Sequence, residues 1–279
     1  ELGKARIAVP VSLSALTGYL AARSGWGPEA WYLAAGVFIL ALGASALNQV
    51  QEYRFDLRME RTRHRPIPSG RLTPARALLF SALLILTGGA ILWLGCGDLS
   101  LGLGVLTIIV YNLMYTYLKR ITAFAVVPGA VVGALPPLIG WSATGNPVMR
   151  DPALALAAFF FIGQIPHFWL IILSIGKQYE EAGYPSLSSV LSRPQIGRLT
   201  LAWIIATAAA ALLLPMSGTL DEPILSWVLA AGAAWLVVRF ILMARHSVED
   251  IHPRKGFVVL NLFFLLVMAL VWVNAALGG

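Results

Sequence analysis

Asn48, Glu52 and Asp56 recur every four residues in the stretch LNQVQEYRFDLRMERTRHRPIPSGRLTP. On a helix they would occupy a sector of about 80° and stack along about 12 Å of one face. Oxygen-bearing side chains in line suit a hard divalent cation such as Mg²⁺. Arg61 and Arg65 follow, within a run of seven arginines. Guanidinium groups and Mg²⁺ together neutralise phosphate and steady a departing diphosphate. A plain solvated loop, kept on one side of a membrane by its arginines, is the other reading. Two features bear on the choice. Asn48 and Glu52 fall where an apolar run ends, a place where polar groups are costly and face a cavity or a partner. The acids also keep to one face instead of scattering.

A second polar group lies in GQIPHFWLIILSIGKQYEEAGYP. Gln164 and His167 sit inside an apolar run, and Pro166 between them is expected to kink it. A histidine at that depth is either an interior hydrogen-bonded residue or the lining of a polar cavity. Lys177, Gln178, Glu180 and Glu181 come next. Glu181 is placed to join a second cation site, with Gln178 offering a neutral carbonyl oxygen; the alternative is an ordinary surface helix end. Lys119 and Arg120 close the stretch YNLMYTYLKRIT and, taken alone, read as anchors at a membrane edge. The aromatic residues Phe159 to Phe161, Phe168 and Trp169 are packing residues or the wall of an apolar pocket.

The elements that must position these groups follow from composition. Of 279 residues, 58% are hydrophobic and 12% charged, with mean hydropathy +0.78. A soluble domain is about 45–50% apolar and about 25% charged, and one soluble core cannot bury this much apolar surface. The chain therefore reads as an all-α integral membrane protein, a single domain over residues 1–279. The lone Cys96 permits no internal disulfide and no cysteine-built zinc or iron–sulfur site.

A span needs about 20 mostly apolar residues. Nine candidates occur at residues 7–22, 31–50, 75–96, 99–118, 121–141, 152–176, 199–215, 223–243 and 256–277. The first and seventh are short and open to extension. With that alternation, 18 of the 20 lysines and arginines share one face, and only Arg23 and Arg150 lie on the other. The positive-inside bias then places the N-terminus in the cytoplasm and the C-terminus outside. Two long connections, about 51–74 and 177–198, fall on that cytoplasmic face and carry both acidic clusters. The net charge of +7 is topological, and no nucleic-acid motif accompanies it.

The residues also carry a resemblance. Asn48-x-x-x-Glu52-x-x-x-Asp56, then Met59-Glu60-Arg61-Thr62-x-x-Arg65-Pro66 and Pro68-Ser69-Gly70-Arg71, is similar to the first signature of the UbiA superfamily of intramembrane prenyltransferases. Within it the chain most resembles the haem O synthases, through Tyr117-Leu118-Lys119-Arg120-x-Thr122, residues 133–141 (GALPPLIGW), Gln164-x-Pro166-His167-Phe168-Trp169 and Tyr179-x-x-Ala182-Gly183-x-Pro185. That resemblance implies nine helices around a central cavity in a prokaryotic inner membrane. Asn48, Glu52 and Asp56 would hold the first Mg²⁺. Glu181 and Gln178 would form the second site, while Arg61, Arg65, Lys119 and Lys177 would steady the diphosphate. His167, with Gln164, would lie near the acceptor. The substrates implied are farnesyl diphosphate and haem B, joined at a haem vinyl group.

Three departures stand out. Gln178 occupies a position where the family usually has aspartate. Tyr53 and Arg54 follow Glu52 where the family has arginine and aspartate. Pro185-Ser186-Leu187-Ser188 replaces a Pro-Met-Leu-Pro stretch. A lost carboxylate beside an added arginine makes the sites less acidic and lowers the expected metal affinity. They leave room for another cyclic acceptor, such as a quinone precursor, or for a non-catalytic relative that binds lipid or haem.

Overall fold

Lipid offers no partner for backbone N–H and C=O groups, so apolar segments of this length close their hydrogen bonds internally as helices. A computed structural model of the chain describes residues 2–23, 25–244 and 251–278, and contains no strand among them. Arg245, one of the cations assigned to the basic face, lies outside the described residues. The elements are α1 (Ala5–Ala22), α2 (Glu29–Asp56), α3 (Pro74–Cys96) and α4 (Asp98–Ile108), the last continuing through a π-helical segment (Ile109–Tyr115) and a turn at Thr116–Leu118. Then come α5 (Ala123–Ser142, opening with a 3-10 turn), α6 (Asp151–Ser174), the short α7 (Gly176–Glu181), α8 (Arg193–Met216), α9 (Pro223–Met243) and α10 (Pro253–Leu277).

Eight stretches among the described residues are long and apolar enough to span, and a hairpin within one of them brings the crossings to nine. Pro74–Leu118 is one apolar run of 45 residues. As a straight helix it would reach about 68 Å, roughly twice the hydrocarbon core. Gly97, at φ 85 and ψ 179, folds it into the α3–α4 hairpin. The short seventh candidate becomes a 24-residue helix, because Ser192 and Gln195 form a capping box that starts it at Arg193. The first gains only two residues. Pro166 does not end α6; the break comes at Ile175, where φ −124 and ψ 14 separate α6 from α7.

The helices form a ring. α1 packs on α2, α5 and α10, while α6 packs on α5, α8 and α10. One core joins Phe159, Leu170, Ile204, Leu236, Phe240 and Phe263 of α6, α8, α9 and α10; another joins Tyr19, Leu33, Leu40 and Leu92 around α1, α2 and α3. Leu79, Leu94 and Trp227 project outward as a lipid-facing surface. The tightest approach is α1 on α5: a Cβ on Gly18 would lie 1.9 Å from the Pro137 carbonyl oxygen, and one on Gly140 only 1.7 Å from the Ala15 carbonyl oxygen. Small residues at such crossings let backbones touch. Gly140→Val should therefore lower the thermal midpoint of the detergent-purified protein by several degrees or prevent its accumulation, since overpacking against backbone costs about 1–3 kcal/mol or more. Gly102→Ala, with nothing within 4 Å of the new carbon, should not. Equal melting of the two variants would contradict the α1–α5 packing.

Candidate active site

α2 outlasts the span it was expected to form and reaches Asp56, which carries Asn48, Glu52 and Asp56 onto one helix. The Thr62 hydroxyl donates to the Asp56 carbonyl oxygen at 2.9 Å and closes the helix end. Both carboxylates are buried, Glu52 at 6% exposure and Asp56 at 1%. A buried carboxylate is costly unless a cation or hydrogen bonds compensate it, and each has found one. Arg65 Nη1 donates to Asp56 Oδ1 and Oδ2 at 2.8 and 2.7 Å. Lys119 Nζ lies 2.5 Å from Glu52 Oε1, and the Tyr184 hydroxyl donates to the same oxygen at 3.1 Å. Burial first, and then Glu52, raises the Tyr184 pKa, so the phenol stays a donor.

The π-helical segment faces this helix end. Asn48 Nδ2 donates to Thr116 Oγ1 at 3.0 Å, and that hydroxyl donates to the Tyr111 carbonyl five residues back. Gln51 and Asn112 exchange hydrogen bonds: Gln51 Nε2 to the Asn112 carbonyl at 3.0 Å, and Asn112 Nδ2 to Gln51 Oε1 at 3.1 Å and to the Ala44 carbonyl at 3.0 Å. Arg120, which alone reads as an anchor, donates to the Gln51 carbonyl at 2.8 Å and lies over the rings of Phe55 and Tyr117. The wider winding thus aims one face of the chain at α2, and π-helical turns are frequent at functional sites.

The two long connections meet here. Tyr184 packs on Phe55 at 4.9 Å and stacks on Tyr179 at 4.4 Å, in a cluster with Met59 and Ala182. Asn48, Glu52, Asp56, Arg65 and Lys119 are brought together. Arg61 is exposed at the margin, with Arg65 and Asp56 as electrostatic neighbours. Lys177 and Glu181 are exposed and form no ion pair among the described residues; Gln178 is half-buried, and its Oε1 is buried without a hydrogen-bond partner. The acid fixed at that end is Glu180, which accepts from Ser186 Oγ at 2.5 Å and from Ser188 Oγ, and those bonds lower its pKa in that order. Among the described residues no three His, Cys, Asp or Glu side chains converge.

Farther in, Tyr111, Tyr115 and Phe168 stack in a ladder with centroids 6.1 and 5.5 Å apart, and Lys119 Nζ sits 5.2 Å from the Tyr115 ring. His167 follows, 4.8 Å from Phe257, with Nδ1 buried and unpartnered. Gln164 lies against Gly133, where a Cβ would come within 2.9 Å of Gln164 Oε1. Sequence reasoning passed over Tyr184 and Thr116, which contact the first cluster, and Lys4, which lies within its electrostatic reach. Lys4 is half-buried; burial, then Arg65 and Lys119, bring its pKa down to about 8 against the opposing pull of Glu52 and Asp56. Nothing in their spacing marks any of the three, because each reaches the site across a long stretch of chain.

Residues 11–267 match the model of the UbiA prenyltransferase family. The chain belongs to that family. This UbiA prenyltransferase is 39% identical to the protoheme IX farnesyltransferase of Geobacter sulfurreducens over 242 residues, covering 85% of this chain and 87% of that one. It is 37% identical to the enzyme of the same name from Oleidesulfovibrio alaskensis, covering 98% and 95%. Its fold is shared with a digeranylgeranylglyceryl phosphate synthase (TM-score 0.79, 16% identity, 99% and 96% coverage) and with a UbiA homologue from Archaeoglobus fulgidus bound to DMAPP and Mg²⁺ (TM-score 0.72, 12% identity, 99% and 98% coverage).

The donors of the first cluster fit a hard cation: two carboxylates and an amide, all oxygen, one helical turn apart. Lys119 and Tyr184 both meet Glu52 at Oε1, which leaves Oε2 to a cation. Asn48 has its nitrogen on Thr116, which leaves its carbonyl oxygen. Glu52→Ala and Asp56→Ala should each lower prenyl transfer by about 100–1,000-fold, the usual loss for one electrostatic contact to a developing anion, in protein that still folds but melts lower than the parent, because Lys119 or Arg65 loses its partner. Near-normal turnover in both would reduce these acids to loop charges.

Proposed function

We propose that this UbiA prenyltransferase moves a farnesyl group from farnesyl diphosphate to a vinyl group of haem B and so makes haem O. The observation that carries the reading is the pairing of Glu52 and Asp56, each balanced by one basic side chain, at the head of the Tyr115–Phe168 ladder. The relatives named protoheme IX farnesyltransferase supply the donor and acceptor. Asn48, Glu52 and Asp56 are the residues suited to Mg²⁺, which when bound neutralises charge on the departing diphosphate. Arg65 and Lys119, on ceding the carboxylates to the metal, are placed to meet phosphate oxygens, with Arg61 and Lys177 outside them. Gln178 and Glu181 are the candidates for a second, weaker cation site.

Breaking the C–O bond leaves the electron pair on diphosphate and an allylic cation on the farnesyl chain. The faces of Tyr111, Tyr115 and Phe168 are the negative ends of ring quadrupoles and stabilise such a cation. The cation takes the vinyl π electrons. Water then adds to the resulting porphyrin-side cation and loses a proton, giving the hydroxyethylfarnesyl group. His167 and Gln164 stand beside the acceptor in this reading.

The basic bias, 18 of 20 lysines and arginines, supports a cytoplasmic N-terminus and a site opening to the cytoplasm of a prokaryotic inner membrane. One experiment tests chemistry and orientation together. Sealed inside-out vesicles given Mg²⁺, farnesyl diphosphate and haem B should form haem O, read by mass spectrometry, and right-side-out vesicles should not. Product from right-side-out vesicles alone would invert the orientation. No haem O from either, with a quinone precursor prenylated instead, would replace the acceptor.

A further inference from the structure

Lys4 lies on the N-terminal side of residues 11–267, the part that matches the family model. Its backbone lies in the left-handed region at φ 49 and ψ 57, alone in this among the described non-glycine residues. L-residues avoid that region, so surrounding contacts must hold it. Leu2 is buried with Ala46, Ile67 and Ala77. Gln49 Nε2 donates to the Leu2 carbonyl at 2.5 Å, and a Cβ on Gly3 would lie 2.9 Å from Leu42 Cδ2. The Lys4 carbonyl accepts from the Ile7 and Ala8 amides at 2.8 and 3.3 Å.

These contacts point one way along α2. At 100° per residue, positions 42, 46, 49, 52 and 56 fall in one stripe about 120° wide. The strap of residues 2–4 therefore lies on the face that carries Glu52 and Asp56. The charged groups acting on Lys4 agree: Glu52 and Asp56 of α2, Arg65 of the following connection, and Lys119 beyond the π-helical segment. Arg65 and Lys119 have carboxylate partners. No ion pair among the described residues involves Lys4. Two carboxylates and their two cations sum to zero, so Lys4 leaves the centre with a positive excess that suits an anion.

We propose that Lys4 is a diphosphate-binding residue, its ammonium meeting a phosphate oxygen of the prenyl diphosphate from the side of α1. A prenyl diphosphate carrying one Mg²⁺ is still an anion and complements that excess. A cation held by backbone packing rather than by an ion pair need not break a contact to receive it, and this preorganisation favours binding. The assignment rests on the reading of the acidic centre given above and adds to it a residue at the start of α1.

Isothermal titration of the purified full chain with inorganic pyrophosphate in saturating Mg²⁺ tests it. Lys4→Met should weaken binding about 10–100-fold, the range of one hydrogen bond to a charged group. Lys4→Arg should restore most of it. Lys4→Gly removes the charge while relaxing the left-handed backbone, so weakened binding there cannot be put down to lost stability. In turnover, KM for prenyl diphosphate should rise more than kcat falls in both neutral variants. An Asp56→Ala arm separates the two levels of the reading. If Asp56→Ala binds magnesium pyrophosphate as the parent does, the acidic centre itself is misassigned. If Asp56→Ala loses binding while Lys4→Met and Lys4→Gly keep it, or if Lys4→Arg fails as badly as Lys4→Met, Lys4 does not bind diphosphate.

Discussion

Two carboxylates one turn apart at the end of a membrane span can be buried at little cost only if cations are brought to them. Glu52 and Asp56 are nearly inaccessible, and a buried charge left alone would be neutralised by a shifted pKa or would cost several kcal/mol. Much of the surrounding structure follows from that requirement. Arg65 comes back from the connection after α2 to Asp56, and Lys119 arrives from the far end of α4's continuation to Glu52. Tyr184 comes from beyond α7, so three separate stretches of chain are tied to one helix end.

The same requirement explains why the closure is polar while the rest of the bundle is not. Below the site the helices meet through apolar side chains and glycine crossings. At the site, Asn48, Gln51, Asn112 and Thr116 interlock α2 with the π-helical segment. A polar network of this kind holds side chains in defined places. It also sets the Tyr115–Phe168 ladder directly inward of Lys119. An electrostatic head above an aromatic body is the division that an ionising allylic diphosphate needs.

The sequence carried the spans and the first cluster because both are periodic. Apolar run length defines the spans, and a four-residue spacing puts Asn48, Glu52 and Asp56 on one face. Arg65 was within reach because it follows by only nine residues. Tyr184, Thr116 and Lys4 were not legible, since their roles depend on helix–helix contacts and a left-handed backbone with no local signature. The π-helical winding was equally hidden in an unbroken apolar run. At the second cluster, spacing suggested Glu181 and Gln178, but local serines fix Glu180 and leave Glu181 exposed. Solved relatives at 12–17% identity keep the fold over nearly the whole chain. The apolar pattern therefore needs few particular residues, whereas the site needs many.

In the proposed reaction Glu52 and Asp56 exchange their resident cations for Mg²⁺ while Lys119 and Arg65 turn to the diphosphate. A structure of the protein with Mg²⁺ and an unreactive thio analogue of farnesyl diphosphate examines that directly. A metal within about 2.1 Å of carboxylate oxygens from both acids, with Lys119 and Arg65 on phosphate oxygens, is the expected arrangement. Both ion pairs left intact, with the diphosphate and its metal bound elsewhere, would contradict it.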